Sequence, residues 1–404
     1  MAQAMLRAAA FMLHGNNNST QQAYEKAKTS AWWPLTERAL SGKPLANRIV
    51  AVSGANAGVG FAVASRLAAL GATTLMLCRS LERGRAAAEA IRKESGGQAQ
   101  VEVEEVDVAS PASVAAFAAR LEASGRALHC LINNAGVLAL SRAETPDGWE
   151  ASFATNVAGT VALTLALKPA LLRAAAQAQA QAQAQARAAA VPRVVFVSSG
   201  GMYSEPLLSS APLDPPASSA FDGTRAYARD KRRQVALAEA LARRWSGDAA
   251  GGRAAASAAD AAALAPPPPI AVASYHPGWS DTPGVQTSLP AFRKAFEAKL
   301  RRPEGGADTA VWLCCAPVDW GGGGAAAAAA AAAEGTGAEG AAQDASKEGF
   351  LVPGAFYLDR RPQPKHLLGA SGRVAGTAYA ARDADALLDS VAALLRDKGY
   401  AAAV

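Results

Sequence analysis

Tyr227 and Lys231 close the run Tyr227-Ala228-Arg229-Asp230-Lys231. On a helix, residues four apart share one face, and an ammonium beside a phenol favours the ionised phenol. A phenol tuned in this way can exchange a proton with an alcohol or a carbonyl oxygen. The same spacing occurs on any solvated helix face, so the pair needs a context. Upstream lie a serine pair, Ser198-Ser199, and a run Ser53-Gly54-Ala55-Asn56-Ala57-Gly58-Val59-Gly60 with the spacing G-x-x-x-G-x-G. A proton-exchanging phenol downstream of such a turn reads as a candidate hydride-transfer site.

The glycine run gains meaning from its position. It follows an apolar β-branched segment, residues 49–52, and opens a helical one. At such a junction Gly54, Gly58 and Gly60 permit a tight turn and close backbone approach. The helix start, with Asn56 and Val59 beside it, offers unpaired N–H groups to a pyrophosphate. Arg79 ends the second apolar segment, where a NAD-selective site usually has an acid for the ribose hydroxyls. A guanidinium there can pair a 2′-phosphate, which points to NADP(H). Asp107 follows the third segment as an acceptor for an adenine amino group, and Asn133, Asn134, Ala135 and Gly136 leave the fourth under the adenosine ribose.

These residues need a scaffold of alternating strands and helices. Apolar, β-branched segments at 49–52, 73–77, 101–106, 128–133, 194–198, 270–275 and 355–358 predict seven strands, and alanine-rich stretches between them predict helices. The clearest helix is 225–245, with Val235, Leu237, Leu241 and Trp245 on one face and its arginines and lysines on others. The pattern predicts an α/β fold: a doubly wound parallel seven-stranded sheet with helices on both faces. Low-complexity insertions at 174–190, 248–269 and 321–349 decorate it, the first lengthening a helix. The expected organisation is an N-terminal arm (1–47), one catalytic domain (48–365) and a C-terminal helical extension (366–404).

Composition narrows the function classes. The chain has 404 residues, 50% of them hydrophobic, with 40 basic against 34 acidic residues and no concentrated basic block, which sets nucleic acid aside. No stretch is apolar enough to span a membrane, since Lys168 and Asp319 break the best candidates. Cys78, Cys130, Cys314 and Cys315 lack metal-ligand spacing and read as reduced thiols in an intracellular reducing compartment, the cytoplasm before an organelle. The arm is open to two readings: an organellar address, or a surface arm whose Trp32 and Trp33 pack on the body or touch a membrane face peripherally. His14, His129 and His366 form no metal set, and His276 reads as a structural residue.

In order and context, the glycine turn, Asn133-Asn134-Ala135-Gly136, Asn156, Ser199, Tyr227, Lys231, Pro277-Gly278 and Thr282 resemble the short-chain dehydrogenase/reductases over roughly residues 44–361. The resemblance implies a Rossmann-type fold and a reaction interconverting a carbonyl and an alcohol. It implies that Tyr227 exchanges the proton, that Lys231 lowers its pKa and binds the nicotinamide ribose, and that Ser199 holds the substrate oxygen. Asn156 would anchor a water linking Lys231 to solvent, Thr282 would bind the carboxamide, and Pro277-Gly278 would place the ring. Ser199 and Tyr227 lie 28 positions apart, about twice the family's common interval, so residues 202–224 are expected to border the substrate pocket. Apolar side chains there and from Trp279 to Phe292 suggest a lipophilic substrate. A homo-oligomer stays open. The rival reading is a catalytically quiet NADP-binding sensor or scaffold, which keeps its role when Tyr227 becomes Phe.

Overall fold

The computed structural model describes residues 2–185, 191–207, 213–214, 220–245, 270–319, 350–366 and 379–400. Within them, one sheet runs in the order β3-β2-β1-β4-β5-β6-β7-β8. Its strands are β1 Ile49–Ser53, β2 Thr73–Cys78, β3 Gln100–Glu105, β4 Cys130–Asn133, β5 Arg193–Val197, β6 Ala271–Tyr275, β7 Phe356–Leu358 and β8 Arg361–Gln363. The first seven are parallel and match the seven expected segments. The eighth, antiparallel to β7, was not foreseen. Arg361-Pro362-Gln363 has no apolar alternation, and a proline is tolerated there because the strand is an edge.

The order reverses between β1 and β4, which puts a crevice at the carboxyl ends of these strands. Strand pleating sends Ala51, Leu75, Leu131 and Phe196 to one face, where they pack with the helices Pro111–Ala123, Gly159–Ala166, Gly223–Trp245 and Ala381–Asp397. Val50, Val52, Met76 and Ile132 face the other way, against the helices Gly58–Ala69, Leu81–Glu94 and Pro303–Cys315. Both faces are therefore covered, as an all-parallel core requires.

The alanine-glutamine stretch lengthens the helix Lys168–Gln185, whose Ala174, Ala175 and Ala178 are buried. The insertions at 248–269 and 321–349 lie outside the described residues. All four cysteines are free thiols. No single described helix is long and apolar enough to cross a membrane.

The N-terminal arm is packed on the body. Helix Ala2–Asn18 lays Phe11 against Trp279, Arg7 Nε donates to Ser204 O (3.0 Å), and Trp33 is buried beneath the Arg360 guanidinium, 4.0 Å from its ring centre. Helix Gly223–Trp245 also departs from its simple amphipathic reading, because Arg232 and Arg233 are buried along with its apolar face. Arg232 is enclosed by the residues after β8, donating to Lys365 O and lying 5.6 Å from the Tyr379 ring centre. Arg233 pairs with Asp230 at 3.2 Å.

Candidate active site

The turn after β1 is built for close approach. Gly54 and Gly58 have φ of +65° and +56°, a region that L side chains enter at a cost. A Cβ on Gly60 would lie 2.3 Å from Asn134 Nδ2 and 2.4 Å from Gly54 O. Asn134 fastens the turn to β4, donating through Nδ2 to Ser53 O (2.9 Å) and Gly54 O (3.2 Å). Ser53 Oγ accepts from the backbone N–H groups of Asn134 and Ala135, both at 3.0 Å. The helix Gly58–Ala69 has Ala57 at its N-cap and no side-chain cap, so its leading N–H groups remain available to an anion. Val59 is buried at its first turn and Asn56 is half-buried just ahead of it. Asn133 turns inward, donating to Thr164 Oγ1 (2.8 Å) in the core.

At the carboxyl ends of β2 and β3, an open cleft of about 600 Å³ brings Arg79 and Asp107 together, with Arg85, Arg120, Glu104 and Glu105 also on its walls. Arg79 is exposed and makes no ion pair with the described residues. Asp107 Oδ1 accepts from Ala109 N (3.0 Å), which fixes its carboxylate.

The reactive end lies after β5. Tyr227 lies in the first turns of the helix Gly223–Trp245, and its phenol feels the Ser199 side chain as a polar neighbour. Ser198 instead donates to Lys231 O (2.8 Å), which ties the strand end to that helix and leaves Ser199 as the serine facing the phenol. Lys231 is buried, its Nζ 5.4 Å from the Tyr227 ring centre. A Cβ on Gly136 would sit 3.2 Å from both Lys231 Nζ and Asn156 Oδ1, so the segment leaving β4 abuts the same group. Asn156 lies in a π-helical turn, Ala154–Ala158, of the kind found at functional sites. Its side chain pairs with Val137, accepting from N and donating to O, each at 2.9 Å.

Two residues of this network escaped the sequence reading. Gln234 accepts from Lys231 Nζ through Oε1 (3.0 Å) and donates from Nε2 to Asn156 O (2.7 Å). Thr160 Oγ1 also donates to that carbonyl (2.9 Å), and the Gln234 carboxamide joins Lys231 to Asn156 directly. Gln234 is three residues after Lys231, a same-face spacing that could have revealed it. Asp230 is buried, accepting from Asn156 Nδ2 (3.3 Å) and Arg233. Burial pushes its carboxyl up to about 6, Arg233 and Asn156 opposing.

Burial dominates the electrostatics of the pair. Burial brings Lys231 down to about 8, with Asp230 opposing the fall. Burial pushes the Tyr227 phenol up to about 12, the Ser199 side chain opposing and Asp230 adding to the rise. Lys231 Nζ is held by Val197 O (2.8 Å) and Gln234, with the Tyr227 ring centre 5.4 Å away.

The loop after β6 closes the site. Thr282 caps the helix Pro283–Ser288 and stands over the glycine turn, 3.2 Å from where a Cβ on Gly58 would be. Gly278, after Pro277, has φ of +70°, and a Cβ there would lie 2.3 Å from Arg301 Nε. His276 is buried, stacked on Phe356 with ring centres 5.7 Å apart, and its Nδ1 accepts from Gly278 N (3.1 Å). Burial depresses its pKa well below the usual range, so it serves as a neutral strut. Of the segments expected to border the substrate pocket, Met202 is buried against Tyr203, Val235 and Phe356, Trp279 packs among Phe11, Phe292 and Phe296, and residues 208–212 and 215–219 lie outside the described residues. Val137 and Leu140, 36% and 63% exposed, are apolar side chains that do remain open beside the site.

Comparison with known proteins fits this geometry. Residues 48–199 match the family model of the short chain dehydrogenases. Dehydrogenase/reductase SDR family member 12 of Bos taurus is 32% identical over 363 residues, covering 90% of this chain and 91% of the relative. Its Homo sapiens counterpart is 31% identical over 320 residues, 79% of each. A solved structure of an uncharacterized protein from Mycobacterium paratuberculosis has the same fold, with a TM-score of 0.54, 23% identity, and coverage of 87% of this chain and 96% of that one. The extent of these matches and the order of the site residues along the sheet lead to one assignment: the chain belongs to the short-chain dehydrogenase/reductase family.

Proposed function

We propose that this protein is an NADP(H)-dependent reductase that converts a lipophilic carbonyl to an alcohol, with Tyr227 as proton donor and acceptor. Oxidoreduction of a carbonyl/alcohol pair with a pyridine nucleotide goes with the family. The observation that carries the finer reading is Tyr227 set beside Ser199, with Lys231 one turn further along the same helix and its Nζ 5.4 Å from the ring centre.

The residues present fit a dinucleotide. The uncapped helix start at Gly58, and Gly60, where a side chain would collide with Asn134, would receive the pyrophosphate. Arg79 would pair a 2′-phosphate and Asp107 the adenine amino group, with Ala135 and Gly136 beneath the ribose, whereas Asn133 is turned into the core and supports this segment from within. Pro277, Gly278 and Thr282 would hold the nicotinamide end. When bound, NADPH supplies the hydride. Ser199 Oγ holds the carbonyl oxygen by hydrogen bonding, Tyr227 delivers its phenolic proton to that oxygen, and Lys231 stands by as an ammonium to stabilise the phenolate left behind. Gln234 keeps Lys231 in register with Asn156. Val137 and Leu140 favour an apolar substrate, and relatives include retinol dehydrogenase 14 of Mus musculus, 29% identical over 290 residues.

The test is NADPH oxidation against a panel of aldehydes and ketones, with NADH in parallel. Tyr227→Phe is expected to lose about 10²–10⁴-fold in turnover while still binding NADPH. Undiminished turnover in that variant refutes the proton role, and a preference for NADH refutes the role of Arg79.

A further inference from the structure

Away from the candidate site, at the amino-terminal edge of the sheet, two guanidiniums line a pocket that holds no counter-charge among the described residues. Val50 pairs with Cys130, and Cys130 with Arg193, so these three side chains share one face of adjacent strands. Arg48, two residues before Val50, returns to that face by the two-residue period of extended chain. The result is a pocket of about 100 Å³ walled by Arg48, Arg193, His129 and the thiols of Cys130, Cys314 and Cys315.

The donors in this pocket are underused. Arg193 gives Nη2 to Ala316 O (2.6 Å), but its Nε is buried without a partner. Arg48 is half-buried, and its side chain makes no hydrogen bond or ion pair with the described residues. His129 Nδ1 accepts from Ile49 N (3.1 Å), which leaves Nε2 to carry the ring proton as a further donor. Among the described residues, nothing on the walls balances the charge. No described residue on the walls is a carboxylate, and burial holds Cys314 and Cys315 as neutral thiols, Cys315 pushed up to about 12. The excess is felt locally: burial and then Arg193 lower Arg48, and burial and then Arg48 bring His129 down to about 4.

Two half-desolvated arginines facing each other repel unless an anion lies between them. We propose that this pocket is a binding site for a phosphate-class oxyanion, free or as the head of a monoester. Guanidiniums from the segment entering β1 and from β5, with an imidazole N–H on the same walls, suit a tetrahedral group with oxygens on several sides better than a planar carboxylate. The site is independent of the catalytic reading, since it shares no residue with it.

The experiment uses the full chain, titrated at constant ionic strength with chloride exchanged for inorganic phosphate, followed by thermal unfolding and ³¹P line broadening. A saturable rise in melting temperature is expected. It should persist in Arg79→Ala, which removes the guanidinium proposed for the cofactor, and weaken at least tenfold in Arg48→Ala. Arg48→Lys, which keeps the charge, should retain part of the affinity and serves if the alanine variant does not fold. A parallel arm with glycerol 2-phosphate separates the two sources: binding equal to phosphate marks a monoester head, and binding of phosphate alone marks the free ion. Acetate binding as tightly as phosphate, phosphate binding unchanged in Arg48→Ala, or no phosphate binding by the wild type would overturn the proposal.

Discussion

Asp359→Asn is the sharpest test of how this fold is fastened. Arg301 has a side chain 1% exposed and meets Asp359 through two bonds, Nη1–Oδ1 at 2.5 Å and Nη2–Oδ2 at 2.9 Å. The same guanidinium donates to Asn18 O (2.8 Å), Ser19 O (2.8 Å) and Thr20 O (3.2 Å), where the first helix of the arm ends. It also lies directly under Gly278, so one buried cation joins the arm, the body and the loop proposed to hold the nicotinamide. Asparagine is the right replacement because Asp359 has φ of +50°, a conformation that Asn tolerates and Ala does not. It removes the charge and leaves Arg301 buried and uncompensated. Breaking such a pair costs about 3–5 kcal/mol, and the three carbonyls that still receive Arg301 place this case near the lower end. With an unfolding entropy of about 2.1 cal/mol/K per residue, about 3 kcal/mol corresponds to a fall of roughly 4 °C in melting temperature for a chain of this size. Thermal and urea unfolding measure it, and NADPH titration should show weaker binding as the Gly278 turn loses its support. Asp359→Ala should cost about 1 kcal/mol more through backbone strain. A melting temperature for Asp359→Asn within about 1 °C of wild type would refute the reasoning, because the carboxylate would then be dispensable to Arg301.

Two further outcomes follow from the site. Gly60→Ala puts a methyl against Gly54 O, a backbone atom with little room to yield, and should cost about 1–3 kcal/mol and weaken dinucleotide binding at least tenfold by fluorescence titration. Unchanged binding would separate the turn from the cofactor. Lys231, with its pKa brought from 10.5 down to about 8, binds fewer protons folded than unfolded across that interval, so its contribution makes stability rise with pH there, whereas NADPH affinity should fall as the ammonium is lost. Asp230→Asn removes the anion that supports the ammonium and should move that alkaline limb to lower pH, and a limb left in place would show that Asp230 does not act on Lys231.

The parallel core was legible because strands covered on both faces must be apolar throughout, and alanine-rich crossovers contrast with them. The glycine turn, Ser199, Tyr227 and Lys231 were legible because local geometry demands those residue types at those spacings. Arg301 and Arg360 gave no such signal. An arginine in Leu300-Arg301-Arg302-Pro303 reads as surface charge, and its burial depends on a partner 58 positions away at Asp359 and on an arm more than 280 positions away. The lowered charge preference of Lys231 was also hidden, since it depends on how completely the surrounding chain excludes water rather than on any neighbour in sequence.

The same long-range packing bears on catalysis. Ser199 opens the short helix Gly200–Ser204, and three separate segments hold that helix still. From the arm, Arg7 donates to Ser204 O and Phe11 lies 3.2 Å from where a Cβ on Gly200 would be. From beyond β8, Pro364 O accepts the Tyr203 hydroxyl at 2.7 Å. From the helix that carries Tyr227, Arg225 and Arg229 both pair with Glu205, at 3.0 and 3.1 Å. A serine that must place a carbonyl oxygen within reach of a phenol gains from each contact that restricts it, because misplacement of about 1 Å can cost about a hundredfold in rate. On this reading the arm and the residues after β8 are structural parts of the reactive end, and loosening either would reach Ser199 before it reached the dinucleotide turn.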